Sequence, residues 1–184
     1  MLPCLILVTL ACASATAVPA STSASKSAAL AQPIRVVAAE NFYGDVASQI
    51  GGDRVTVVAI LSDPSTDPHE YETNADDAKA VANAQVLVKN SLGYDAFVDH
   101  LTSASPRPDR ITVDVSQLTG RAEGDNPHQW YDPTTMPRVA QRLAAVFTQV
   151  DPTDRAYFAE RLQTFTAREK SVDDAVAALQ AKYK

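Results

Sequence analysis

Cysteine is the first shortage. The 184-residue chain has two, Cys4 and Cys12, both near the N-terminus, so the rest of the chain has no disulfide framework to draw on. Positive charge is short as well: 16 Lys and Arg stand against 22 Asp and Glu, a formal net charge of −6. Nucleic-acid binding by counterion release needs clustered basic side chains, which are absent here, so nucleic acid is excluded as a partner. An acidic surface attracts cations mildly, not phosphates. No apolar run reaches the ~20 residues that a bilayer-spanning helix requires. Catalytic signatures are scarce too. No Ser-His-Asp or Cys-His arrangement and no metalloprotease His-Glu spacing stands out, which argues against a metal-dependent enzyme.

What is present begins with "LPCLILVTLACAS". Its apolar stretch, Leu5 to Ala11, followed by small residues, resembles a signal-peptide core, although no Lys or Arg precedes it. "TLAC" resembles a bacterial lipobox, which would make Cys12 the lipidated first residue of the mature protein. The alternative is that both cysteines are incidental to a signal peptide. Either reading predicts an extracytoplasmic protein, lipid-anchored at the cell membrane or periplasmic if not lipidated. Residues 13–33, rich in Ser, Ala and Thr without hydrophobic periodicity, read as a flexible tether after a leader of residues 1–12.

From residue 34 the pattern alternates. "IRVVAA" (34–39), "VTVVAI" (55–60), "VLVKN" (86–90) and "ITVDV" (111–115) are Val- and Ile-rich runs without clean period-two alternation. That is the mark of strands buried on both faces. Helical segments lie between them, with Asn41 and Asn74 as predicted N-caps and Gly51 and Gly52 as the stop of the first helix. Strand, helix, strand at this spacing predicts an α/β fold with a four-stranded parallel sheet flanked by helices. Ligands in such sheets gather beyond the carboxyl ends of the strands.

The second half is helical. Val139, Leu143, Val146 and Val150 recur at three- and four-residue intervals, an amphipathic helix. Asp151 and Pro152 then restart the chain as N-cap and first helical residue. Phe158, Leu162, Phe165, Val172, Val176, Leu179 and Tyr183 follow in a stripe that predicts one long helix over about 153–184. It ends on "LQAKYK" without a glycine, proline or turn. We therefore expect a truncated chain whose helix leads on to something more, with Val172, Val176 and Leu179 exposed and prone to self-association.

Three histidines remain. His100, in "FVDHL", reads as a surface or packing residue. His69 and His128 share a grammar: "DPHEYE" and "NPHQWYDP" each place a proline directly before the histidine and an aromatic soon after. Proline fixes its own φ and restricts the residue before it, so each imidazole is presented on a stiffened loop. One loop follows the second predicted strand and the other the fourth, which places both at one end of a parallel sheet. Neutral imidazole is the commonest zinc ligand and suits other first-row metals. Two histidines are a half-site, because zinc takes four ligands, of which at least three come from protein. The nearby carboxylates are Asp67, Glu70, Glu72 and Asp132.

With these motifs in this order, residues 34–184 resemble the metal-binding solute-binding proteins of bacterial zinc/manganese ABC importers. "QIGGDRV" supports the likeness. The resemblance implies two α/β lobes joined by one long helix, with the metal held between them. Residues 34–150 would be the N-terminal metal-binding lobe and residues 151–184 the linking helix. It implies His69 and His128 as metal ligands, Zn2+ or Mn2+ as the transported ion, and a membrane permease of the importer as partner. The remaining two ligands of that family belong to a C-terminal lobe with no counterpart here, and its acidic His-rich loop is replaced by "SQLTGRAEGDNPH". The alternative function is a metal-dependent surface adhesion or interaction lipoprotein.

Overall fold

Strand β1 (Ile34–Glu40) runs without a loop into helix α1 (Asn41–Gly51). The computed structural model describes residues 32–63 and 65–183; the leader, the tether and the reading of Cys12 lie outside them. The order continues with β2 (Val55–Leu61), α2 (Ala75–Asn83), β3 (Val86–Lys89), α3 (Ala96–Ala104), β4 (Ile111–Asp114), α4 (Val115–Thr119), α5 (Thr135–Val150) and α6 (Arg155–Lys182). All four strands match their sequence expectation to within a residue or so at each end. They form one parallel sheet in the order β2-β1-β3-β4. Val36, for example, pairs with Val57 on one side and Val86 on the other.

Both faces of the two central strands are covered, which is why they read as continuous apolar runs. Val36, Ala38, Val86 and Val113 pack with Tyr43, Ile50, Leu143, Phe147, Phe158 and Phe165 from α1, α5 and α6. Val37, Ala39 and Leu87 face the other way, onto Val81, Phe97, Val98 and Leu101 from α2 and α3. The chain therefore leaves β1 toward one face and its neighbour β3 toward the other. Such a reversal opens a crevice at the carboxyl ends of the two central strands.

Local signals account for most boundaries. Asn74 caps α2 by accepting from the Asp76 and Asp77 backbone N–H groups, and Asp77 returns a bond from the Asn74 N–H. Gly52 has a φ of 54° at the end of α1, a region costly for any side chain. A Cβ on Gly51 would collide with the Val55 side chain. The expected cap at Asn41 is corrected. Glu40 is the cap residue and Asn41 the first helical one, without a side-chain cap bond, because the extended strand turns directly into the helix. Asp151 does cap, its carboxylate accepting from the Thr153 N–H at 3.0 Å, but it caps a short 3-10 turn, Pro152–Asp154, that precedes α6. His100 is exposed on α3, as a surface histidine should be.

Helix α6 is 28 residues long, ~42 Å at 1.5 Å per residue. Only its first half meets the core: Phe158 and Phe165 are buried, whereas Val172, Val176 and Leu179 are 58%, 46% and 56% exposed. Isolated helical turns without tertiary contacts are marginal in water. Amide hydrogen exchange should therefore be much faster from Lys170 onward than across 155–166, and uniform protection along α6 would contradict this account.

Candidate metal centre

The two Pro-His loops are built alike. The Asp67 carboxylate accepts from the His69 N–H at 2.9 Å, and the Asn126 amide oxygen accepts from the His128 N–H at 3.0 Å. Each is an Asx turn with proline at its centre, so an acceptor two residues back and a fixed φ set the histidine backbone together. The Asn126 oxygen also lies 2.7 Å from His128 Nδ1. An oxygen already taking a backbone N–H can only accept, so Nδ1 carries the proton and Nε2 keeps its lone pair. This is how an outer partner prepares an imidazole for a metal ion.

Tyr94 brings the two loops to one place. They arise beyond opposite edge strands, β2 and β4, and both meet Tyr94 on the loop after β3. His69 and His128 approach its ring edge-on, with centroids 5.9 and 5.8 Å away. Trp130 packs 5.0 Å from Tyr94 and 5.2 Å from His128, with Phe42 behind it at 4.4 Å. Both imidazoles remain exposed to solvent. The geometry presents a pair of accessible nitrogen donors on an aromatic base.

Asn90, fully buried at the end of β3, fixes this arrangement. Its side-chain oxygen accepts from Tyr43 Oη at 2.7 Å and its amide donates to the Pro127 carbonyl at 2.9 Å. Its carbonyl accepts from Gln129 Nε2 at 2.9 Å, and Gln129, also fully buried, accepts from the Thr119 hydroxyl at 2.6 Å. Both neighbours of His128 are thus tied to the core. The loop that follows is strained: Ser91, Leu92 and Gly93 have φ values of 68°, 58° and 75°. Left-handed backbone at a bulky residue such as Leu92 persists only where surroundings enforce it. Asp95 does so by accepting from the Asn90 and Ser91 N–H groups at 2.7 and 2.8 Å, while the Ser91 hydroxyl donates to Asp114 at 2.8 Å.

A carboxyl group that the motifs do not reveal sits beneath. Glu40 is 1% exposed, and no surrounding N–H or O–H reaches either of its oxygens among the described residues. The group within reach is the Asp95 carboxylate, and burial together with that like charge pushes the Glu40 carboxyl well above the ordinary carboxylate range. Burial also raises Asp95, opposed by its two backbone N–H bonds. A cleft of about 260 Å³ leads from Glu40 past Asp63, Thr66, Tyr94 and Tyr131. The carboxylates near the motifs have other tasks. Asp67 holds the His69 turn, Asp132 pairs with Arg121 at 3.1 Å and binds Thr134, and Glu70 and Glu72 are exposed. Among the described residues no three His, Cys, Asp or Glu side chains cluster closely enough to hold a metal ion.

The profile of the family described as zinc-uptake complex component A, periplasmic (ZnuA), matches residues 36–184. The chain is 26% identical over 167 residues to the manganese ABC transporter substrate-binding lipoprotein PsaA of Streptococcus mitis, covering 84% of this chain and 54% of that protein. It is 28% identical over 123 residues to the manganese-binding lipoprotein MntA of Halalkalibacterium halodurans, covering 65% and 40%. The Mn-bound periplasmic metal binding protein from Candidatus Liberibacter asiaticus superposes with a TM-score of 0.67 at 17% identity, over 82% of this chain and 56% of that one. Zn(II)-bound AdcA from Streptococcus pneumoniae gives 0.65 at 17% identity, over 78% and 32%. At such identities the structural likeness shows the fold alone. The chain spans about half the length of the curated relatives it matches.

Replacing Asn90 by Ala would strand the Tyr43 hydroxyl, the Pro127 carbonyl and part of the Gln129 amide in the core. A buried polar group left unpaired costs ~1–3 kcal/mol. Asn90→Ala should therefore lower unfolding stability by roughly 2–4 kcal/mol in urea titration, and a loss under ~0.5 kcal/mol, the scale of a surface change, would show that the network does not hold the loop.

Proposed function

The chain belongs to the periplasmic zinc-uptake complex component A family, and from that premise we propose that it binds a divalent transition metal, Zn2+ or Mn2+, as the solute-binding component of an ABC importer. The observation that carries the proposal is the pair of matched Asx turns that hold His69 and His128 against the same ring, Tyr94. Neutral imidazoles bind zinc and other first-row ions, and the relatives and structural neighbours bear names of manganese and zinc binders. On this reading residues 34–150 are the metal-binding lobe and residues 151–184 the linking helix. The metal is cargo, delivered to a membrane permease on the extracytoplasmic side. Cys12 supplies the lipid anchor; without lipidation the protein would be periplasmic.

Chemistry favours a carrier over an enzyme. Asp67 holds the His69 turn and Asp132 is neutralised by Arg121, so neither is free to act as a general base beside a bound ion. Two imidazoles supply half of a zinc shell, which sets an affinity well below that of a closed four-ligand site.

Isothermal titration of this chain with Zn2+ or Mn2+ tests the reading. His69→Ala and His128→Ala should each weaken binding by more than the ~10–100-fold that follows loss of an outer-shell partner. Tight one-to-one binding that survives both changes would refute the assignment.

A further inference from the structure

Two neutral imidazoles bring no charge to a divalent cation. Two buried carboxyl groups, Glu40 and Asp95, lie close to Tyr94, the ring that both imidazoles approach. Resting on the metal reading above, we propose that Glu40 is the charge-compensating acid of the metal site, protonated when the site is empty and ionised when His69 and His128 hold a cation.

The surroundings of Glu40 argue for the shared proton. Both of its oxygens are buried without a donor among the described residues, a costly state for an ionised group. The side chain in reach is Asp95, which already accepts two backbone N–H bonds. A proton on Glu40, donated toward Asp95, satisfies both side chains and leaves the pair with a single negative charge. The other titratable groups around it are Tyr43 from α1, Tyr94 and, along the cleft, Asp63 and Tyr131. Lys89, from β3, is directed to Asp99 at 2.6 Å and to Asp114 at 3.9 Å, so Glu40 has no basic partner of its own among the described residues.

Arrival of a divalent ion on the histidines reverses the balance. Its field favours the ionised form of Glu40; the Oε–H bond breaks, the proton leaves to solvent through the cleft past Asp63 and Thr66, and Asp95 keeps its charge. Metal loading then releases a proton that the histidines do not account for. Acid would weaken binding by holding Glu40 neutral. Zinc and manganese follow the same scheme, because the compensation is electrostatic and needs no bond from Glu40 to the ion.

The test is titration of the full chain with zinc chloride near neutral pH in buffers of differing ionisation enthalpy, comparing wild type with Glu40→Gln. The amide mimics the neutral acid and has no proton to give. Wild type should release about one proton more per metal bound than the variant, and the variant should bind more weakly, by ~10-fold or more. Equal proton counts would overturn the role of Glu40 while leaving the histidine reading intact. Binding unaffected by His69→Ala and His128→Ala would overturn both. Should Glu40→Gln fail to fold, carbon-13 NMR of the Glu40 carboxyl in the wild-type chain decides. A shift from the neutral to the ionised form on adding zinc is the expected result; a carboxylate ionised without metal, or neutral with it, would contradict the proposal.

Discussion

One buried amide holds the site together. Asn90 ends the central strand β3, and its side chain and carbonyl meet a tyrosine from α1 and both residues flanking His128. Because these bonds are made in the core, away from competing water, their geometry is unusually well determined. The strained left-handed backbone that follows is held by the same few residues, with Asp95 closing it from below. Tyr94, the ring that both histidines approach, is carried on that loop. The second Pro-His turn thus takes its position from the strand next to it in the sheet.

The first turn is anchored more lightly. The His69 loop leaves the edge strand β2 and is shaped by Asp67 and Pro68 within a largely exposed segment. One imidazole is therefore fixed to the core and the other is held locally. On the proposed metal reading, such a pair is preorganised for capture and can still release the ion to a recipient. Leaving both imidazoles open to solvent fits an ion that must enter and leave, in contrast to the closed shell of structural zinc.

Much of the fold is legible from local chemistry. Val- and Ile-rich runs mark the strands to within a residue or so because both faces of the two central strands are covered by helices, and Asn74 and Asp151 cap where their side chains predict. The two Asx-Pro-His turns are local as well, so the repeated Pro-His pattern marks both loops in the sequence. What local pattern cannot show is whatever depends on neighbours distant in sequence. Asn90 looks like an ordinary strand end until Tyr43 and Gln129 reach it. Glu40 carries one signal, an acid closing the apolar run "VVAAE", yet its meaning comes from Asp95, which only the adjacency of β1 and β3 supplies. The predicted cap at Asn41 fails for a related reason: the sheet requires β1 to remain extended through Glu40.

The central claim is that His69 and His128 bind the same ion. X-ray absorption on the zinc-loaded chain addresses it directly, because imidazole scattering is distinct from that of water or carboxylate. The account predicts two imidazole nitrogens at ~2.0–2.1 Å with the rest of the shell oxygen, falling to one in either His→Ala variant. A shell of oxygens alone, or an imidazole count unchanged by the substitutions, would contradict it.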